Sequence, residues 1–439
     1  MASEGQLKKE IGLSVALSIV IGTVIGSGIF MKPGVVIEHA GSSTWALAAW
    51  LLGGLITIAG GLTIAEIGVQ IPKTGGLYVY IEEVYGKVWG YLSGWMQTMI
   101  YGPAIIGALG LYFGLLFANL FSLPEVWYVP VGISSVIFLG VVNSLGTKHG
   151  GAIQTITTLA KMVPIILIAI LGVWMGDEQV FNSGSPAMDQ LGMGAAILAT
   201  LFAYDGWMLV AFVAGEMKNP AKHLPLAIVG GLTVVTVAYV LINLAMLKVL
   251  PAADIVSLGT ASAHQVAQIL MGGIGAKIVS VGILISIFGC LNGKLLTFPR
   301  VPFAMAERGQ LPFSRRIGKI HAKRGTPVAA ITMQMILAII MMLLTNPDYL
   351  TEMAVFAIYL FYIMAFAAVF LLRKRNKGLH RQYSVPLYPL VPIMAIAGSL
   401  FVVISTLINQ PADTLFAIGI TVIGLPVYYV LQRRNGPLG

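Results

Sequence analysis

Gly22-Thr23-Val24-Ile25-Gly26-Ser27-Gly28-Ile29-Phe30 sits in the middle of a long apolar run, and it places three glycines within seven residues. A second apolar run carries Phe202-Ala203-Tyr204-Asp205-Gly206-Trp207, with an acid and a glycine at its centre. Each interior glycine costs a helix roughly 1 kcal/mol relative to alanine. One such glycine is accounted for by close packing of small residues between helices. The pairing of two interruptions needs a further reason, and counting the apolar runs supplies it.

The chain has 439 residues, of which 57% are apolar and 10% charged. A bilayer-spanning helix takes roughly 20 mostly apolar residues. About 250 apolar residues therefore make at most about twelve spans and leave little for a soluble core. Composition excludes a soluble enzyme, a disordered chain and a disulfide scaffold. The apolar runs fall at about 11–39, 43–70, 88–119, 126–145, 153–176, 192–215, 225–250, 268–297, 326–345, 350–372, 386–408 and 413–432. They are too long and too uniformly apolar for the strands of a membrane barrel. Helices also satisfy every backbone group within one segment, as lipid demands. The fold expected is thus an all-α polytopic membrane protein of about twelve transmembrane helices.

The net charge of +9 is a loop property here. With Lys9 placed in the cytoplasm, the same side receives Lys73, Lys148, Lys218 and the basic run from Arg300 to Arg324. Arg373, Lys374 and Arg433 join them, whereas Lys32, Lys248 and Lys277 fall opposite. This bias sets both termini inside. Nucleic acid is accordingly not an expected partner; the lipid bilayer is. The N-terminal run lacks a small-residue cleavage site and reads as a retained first helix. Cys290 has no second cysteine to pair with and reads as a buried small residue. No Walker sequence is present.

The interruptions fall in spans one and six, five spans apart. Matching interruptions in two halves point to a transporter built from repeats, with substrate held at the breaks. An odd number of spans per repeat inverts the second copy. Residues 11–176 form the first expected repeat and 192–372 the second. Residues 386–432 add two helices, between tails at 1–10 and 433–439. A half-helix N-terminus suits a carboxylate and freed carbonyls suit an ammonium, so an amphoteric substrate such as an amino acid fits both.

Two charges lie at membrane depth. Lys161, in the fifth span, either snorkels to the interface or faces a cavity or partner. Asp205 matches it in depth and is the acidic candidate. Asp205 reads equally as a cap on the half-helix beginning near Gly206 or as a group gating the substrate. The six histidines fall at or near loops, so no metal or catalytic cluster and no cofactor is expected, and the chain does not read as an enzyme. A channel and a proton-coupled importer remain the open rivals.

The first-span stretch resembles the first-helix signature of the L-type amino acid transporters, within the amino acid–polyamine–organocation superfamily. Ile71-Pro72-Lys73-Thr74-Gly75-Gly76 with Tyr78 is similar to the loop after that family's second helix. Gly215-Glu216-Met217-Lys218-Asn219-Pro220 is similar to the loop after its sixth, and Arg300 through Arg308 with Leu311-Pro312 to the loop after its eighth. The resemblance runs the length of the chain. It implies two inverted five-helix repeats (the LeuT/APC fold) followed by two helices. It implies sodium-independent exchange of small neutral amino acids, serine and threonine foremost and extending to alanine, cysteine and some aromatics, across a bacterial plasma membrane.

Carried over by position, Val24, Gly26, Ser27 and Gly28 face the substrate from the first break. The amides of Ser27 and Gly28 take its carboxylate. Phe202, Ala203 and Asp205 line the second break, with carbonyls near Phe202 taking the ammonium and the Phe202 ring as occluding gate. Lys161 stands where sodium-coupled relatives hold an ion, with Ser286 as its eighth-helix neighbour. Two departures narrow this expectation. The loop at Phe121-Ser122-Leu123-Pro124-Glu125 lacks the cysteine that links animal members to a heavy subunit, so a monomer without that partner is expected. An acid at 205, where relatives with bulky substrates carry glycine, favours small or hydroxylated side chains.

Overall fold

The computed structural model describes residues 9–181, 192–378, 381–409 and 411–435. Most of the two tails, Lys8 included, and Asp189 and His380 lie outside these residues. The described chain is helical, and ten stretches are long and apolar enough to cross a membrane. Two shorter apolar helices, Gly192–Ala203 and Val328–Leu344, complete the twelve segments read from the sequence, in the same order. The sixth is short because it is interrupted, and the ninth because it has 17 residues.

Several boundaries shift outward. The fifth span starts at Thr147 rather than 153 and the seventh at Pro220 rather than 225, whereas the eighth run, expected from 268, is kinked at Gly272 (φ 70°, ψ −168°), which separates a helix beginning at Ser262 from the span that ends at Thr297. The added turns, 147–152 and 220–224, are largely polar, so they lack apolar signal yet continue the helix. Asn219 caps the seventh span by accepting from the Lys222 amide, with Pro220 at its first position, a favoured start. Among the helices that lie between spans are Leu77–Tyr85 and Arg300–Glu307. Both occupy stretches that read as polar loops.

The first span is two pieces, Leu13–Val24 and Gly28–Met31, separated by an extended Ile25 (φ −71°, ψ 92°). The sixth is likewise Gly192–Ala203 and Leu209–Phe212. These four half-helices sit at the centre of the bundle. The second, fifth, seventh and eighth spans pack against them (Ser43–Gln70, Thr147–Met175, Pro220–Val249 and Ser262–Thr297), and the third and tenth, Lys87–Leu120 and Pro347–Arg375, lie across the cavity between them. The third span changes to a π-helical turn at Gln97–Tyr101, a feature frequent at functional sites.

One end of the bundle is closed by buried charge. Arg300 Nε donates to Glu216 Oε1 at 2.7 Å and Nη2 to Oε2 at 3.0 Å, with both side chains fully buried. Thr147 Oγ1 donates to Glu216 Oε2 at 2.9 Å and accepts from Arg300 Nη2 at 3.0 Å. The Ile11 amide donates to the Glu216 carbonyl, and the Lys218 amide donates back to the Ile11 carbonyl. Four segments, from spans one, five, six and eight, thus meet on one ion pair. A second tie sits at Glu66, which accepts two bonds from Arg373 and one from the Val385 amide.

Removing one partner from such a buried pair leaves an uncompensated charge, at about 3–5 kcal/mol. Glu216→Ala is expected to lower the thermal unfolding temperature of the purified protein clearly, and Glu216→Gln to lower it less. A melting curve unchanged in Glu216→Ala would contradict this account of the closed end.

Candidate central binding site

Each break exists because its backbone groups find partners elsewhere. At the first break, Lys161 Nζ donates to the carbonyls of Gly22 (2.9 Å), Ile25 (2.5 Å) and Ser286 (3.0 Å). Lys161 is fully buried on the fifth span, Thr147–Met175. Insertion into the bilayer centre costs a lysine about 2.5–3.5 kcal/mol. Hydrogen bonds to a charged group return about 1.5–3 kcal/mol each, so three carbonyls offset that cost. Ser286 Oγ adds bonds to the Ile25 carbonyl at 3.1 Å and the Gly26 carbonyl at 3.3 Å. The partner of Lys161 is therefore backbone, not Asp205.

Asp205 belongs to a different set. Lys294 Nζ lies 3.4 Å from its Oδ2, and the Tyr101 hydroxyl donates to its carboxylate at 2.9–3.1 Å. The capping reading also fails: Met208 precedes the half-helix Leu209–Phe212, and no side chain caps it. Lys294 is 2% exposed and Asp205 9%. Lys294 had a readable signal, a lysine inside the eighth apolar run three residues from its end, which a loop-charge tally passes over. Tyr101 offered none, because one tyrosine among many apolar residues carries no mark.

The seventh span links the two breaks. The Tyr239 hydroxyl lies 3.0 Å from the carbonyl of Val24 and 3.0 Å from that of Ala203. These are the last residues of the first half-helix in each interrupted span. Thr23 Oγ1 donates to the Gly206 carbonyl at 3.0 Å, and Cys290 Sγ to the Thr23 carbonyl at 3.1 Å. Two glycines are demanded by this closeness. A Cβ on Gly28 would stand 2.8 Å from the Cα and Cβ of Ala203. Gly206 has φ +110°, and a Cβ there would stand 2.7 Å from the Thr23 carbonyl oxygen.

Between the breaks lies a cavity of about 40 Å³, room for a few waters. Val24, Gly26, Ser27 and Gly28 line it from the first span, and Phe202, Ala203 and Asp205 from the sixth. Thr23, Cys290 and Lys294 join them, with Ile105, Leu109 and Tyr112 from the third span and Thr351 from the tenth. Lys161 and Ser286 sit behind the first break and do not line it. Cys290 is buried, as read, but at the cavity wall. Among the described residues the amides of Gly26, Ser27 and Gly28 donate to no protein acceptor. The Phe202 carbonyl already accepts from the Asp205 amide at 3.1 Å, and the Lys32 ammonium lies 5.0 Å from the Phe202 ring centroid.

A small cavity framed by two interrupted membrane helices defines a secondary transporter rather than an enzyme. The model of the amino acid permease family matches residues 11–431, and the chain belongs to that family. It is 58% identical over 429 residues to the serine/threonine exchanger SteT of Bacillus subtilis (strain 168), spanning 98% of each chain. It is 31% identical over 434 residues to the human cystine/glutamate transporter, covering 97% of this chain and 85% of that one. It is 32% identical over 439 residues to the mouse large neutral amino acids transporter small subunit 2, covering 97% and 81%.

Replacing the Lys161 ammonium by an apolar end takes the charged donor from all three carbonyls and leaves that of Gly22 with no donor among the described residues, at about 1–3 kcal/mol, while the Ser286 hydroxyl still serves Ile25. Lys161→Met is expected to insert in the membrane yet lose amino acid transport in proteoliposomes by at least about a hundredfold. Transport at the parental rate would remove Lys161 from the mechanism.

Proposed function

We propose that the protein exchanges small neutral L-amino acids, serine and threonine foremost, across a bacterial plasma membrane without sodium. The observation that carries this reading is the Lys161 ammonium on the carbonyls of Gly22, Ile25 and Ser286. Three carbonyl oxygens converging beside a helix break are what a coupling cation requires, and here a fixed side chain fills that place. The site then needs no ion from solution. The amino acid exchangers among its relatives, SteT above all, support the same direction.

The substrate roles follow from the lining. The free amides of Gly26, Ser27 and Gly28 begin the half-helix Gly28–Met31 and take the α-carboxylate. The positive end of that short helix adds a favourable field. The α-ammonium goes to the second break, where the Phe202 and Ala203 carbonyls each keep one lone pair. Val24 packs the substrate backbone, and the Phe202 ring closes over it. Asp205 and Lys294, held by Tyr101, meet the side chain and select a short or hydroxylated one. Residues 11–176 and 192–372 act as inverted repeats that rock about this site. The chain works as a monomer with both termini in the cytoplasm.

In proteoliposomes, uptake of labelled L-serine should require internal serine and persist when choline replaces sodium. Uptake into amino-acid-free vesicles driven by an imposed pH gradient would replace exchange with proton coupling. Selectivity is tested separately. Asp205→Gly alone would leave Lys294 buried without its carboxylate, so the informative variant is Asp205→Gly with Lys294→Met. A difference of a few methylenes in a pocket is worth about 10–200-fold. In this variant leucine is expected to gain on serine as a competitor by about tenfold or more. An unchanged ranking would remove the pair from side-chain selection.

A further inference from the structure

We infer that a second binding site, for the phosphate of an anionic phospholipid, lies at the closed end of the bundle. A cavity of about 410 Å³ opens there, separate from the central one. Its walls come from the start of the first span, the start of the fifth and the segment after the sixth. Lys9, Lys148 and Lys218 line it, against one acid, Glu10. All three lysines are exposed, and none meets a side-chain or carbonyl acceptor among the described residues. Ile11, Val15 and Gly151 give the same cavity an apolar wall.

That combination specifies its occupant. Three unpaired cations on three segments call for a multivalent oxygen anion, and a phosphate offers one acceptor to each. The apolar wall at the ends of membrane-spanning helices accommodates the glycerol backbone and first acyl carbons. Basic pockets between helices on the cytoplasmic side bind anionic headgroups for these reasons. Two other surface lysines are spoken for: Lys73 is paired to Glu83, and Lys248 donates to the Val173 carbonyl. The site also has a structural consequence. Lys218 and Ile11 are already joined through backbone bonds, and Thr147 reaches the Arg300–Glu216 pair. A bound phosphate would tie the same three segments from outside.

The test uses the full-length purified protein and is independent of transport. Native mass spectrometry after titration with phosphatidylglycerol should show a retained lipid, and titration with phosphatidylcholine should not. Near an anionic lipid each lysine contributes about a fivefold gain. Lys9→Gln, Lys148→Gln and Lys218→Gln together should weaken retention about a hundredfold. The control Lys319→Gln with Lys323→Gln should retain it. Lys148→Arg, which keeps the charge, should bind nearly as the parent and serves if the triple variant is unstable. Inorganic phosphate at millimolar concentration should not displace the lipid; displacement would show that the site serves a free phosphate instead. Equal retention of both lipids, or a triple variant and Lys148→Gln that bind as the parent does, would overturn the inference.

Discussion

The ammonium of Lys161 is the contact on which the rest of the centre depends. A broken helix in lipid leaves carbonyls that have no water to turn to, and each one left unpaired is costly. Lys161 collects the Gly22 and Ile25 carbonyls of the first span and the Ser286 carbonyl of the eighth in one fixed charge. It thereby permits the break, positions it, and fastens it to two neighbouring helices. Only after this can Gly26, Ser27 and Gly28 turn their amides toward the cavity. The fifth span enables the site although it contributes nothing to the cavity wall.

The second break is held differently. No single cation serves it; Tyr239 shares its hydroxyl between the Val24 and Ala203 carbonyls, and Thr23 reaches the Gly206 carbonyl. The two breaks therefore stabilise each other. The close approach this requires leaves no room for a Cβ at Gly28 or Gly206. The glycines that cost helix propensity are the residues that let the interruptions touch. Replacing Gly28 by a larger residue would disturb Ala203 before it disturbed any ligand, so such a variant reports on packing and not on the amides alone.

Legibility in the sequence follows from what each residue type costs in lipid. Apolar runs, interrupting glycines and a lysine well inside the fifth run are expensive or periodic enough to be visible, and the twelve segments and both breaks could be read from them. Pairings could not. Asp205 matched Lys161 in depth, but rotation about the helix axes decides contact, and periodicity within a uniformly apolar span does not reveal rotation. Lys294 and Tyr101 took the place assumed for Lys161. Helix ends were misjudged where largely polar residues continue a helix at the interface, as at Thr147 and Pro220. Glu216 and Arg300 stood in motifs that could be quoted, yet their burial as a pair depends on four segments meeting, a property of the assembled bundle.

An exchanger must cross loaded more easily than empty, and the central cavity supplies a reason. Among the described residues the amides of Gly26, Ser27 and Gly28 have no protein acceptor, and about 40 Å³ holds only a few waters to stand in. While the cavity is open to one side, bulk water satisfies these groups. During reorientation it must close, and each amide then left unpaired costs about 1–3 kcal/mol. A carboxylate supplies charge-assisted bonds, roughly twice as strong as neutral ones, at the moment they are needed. A penalty of even 3 kcal/mol on the empty crossing slows it by about two orders of magnitude. If these unpaired amides take the substrate carboxylate as proposed, they also make its countertransport obligatory.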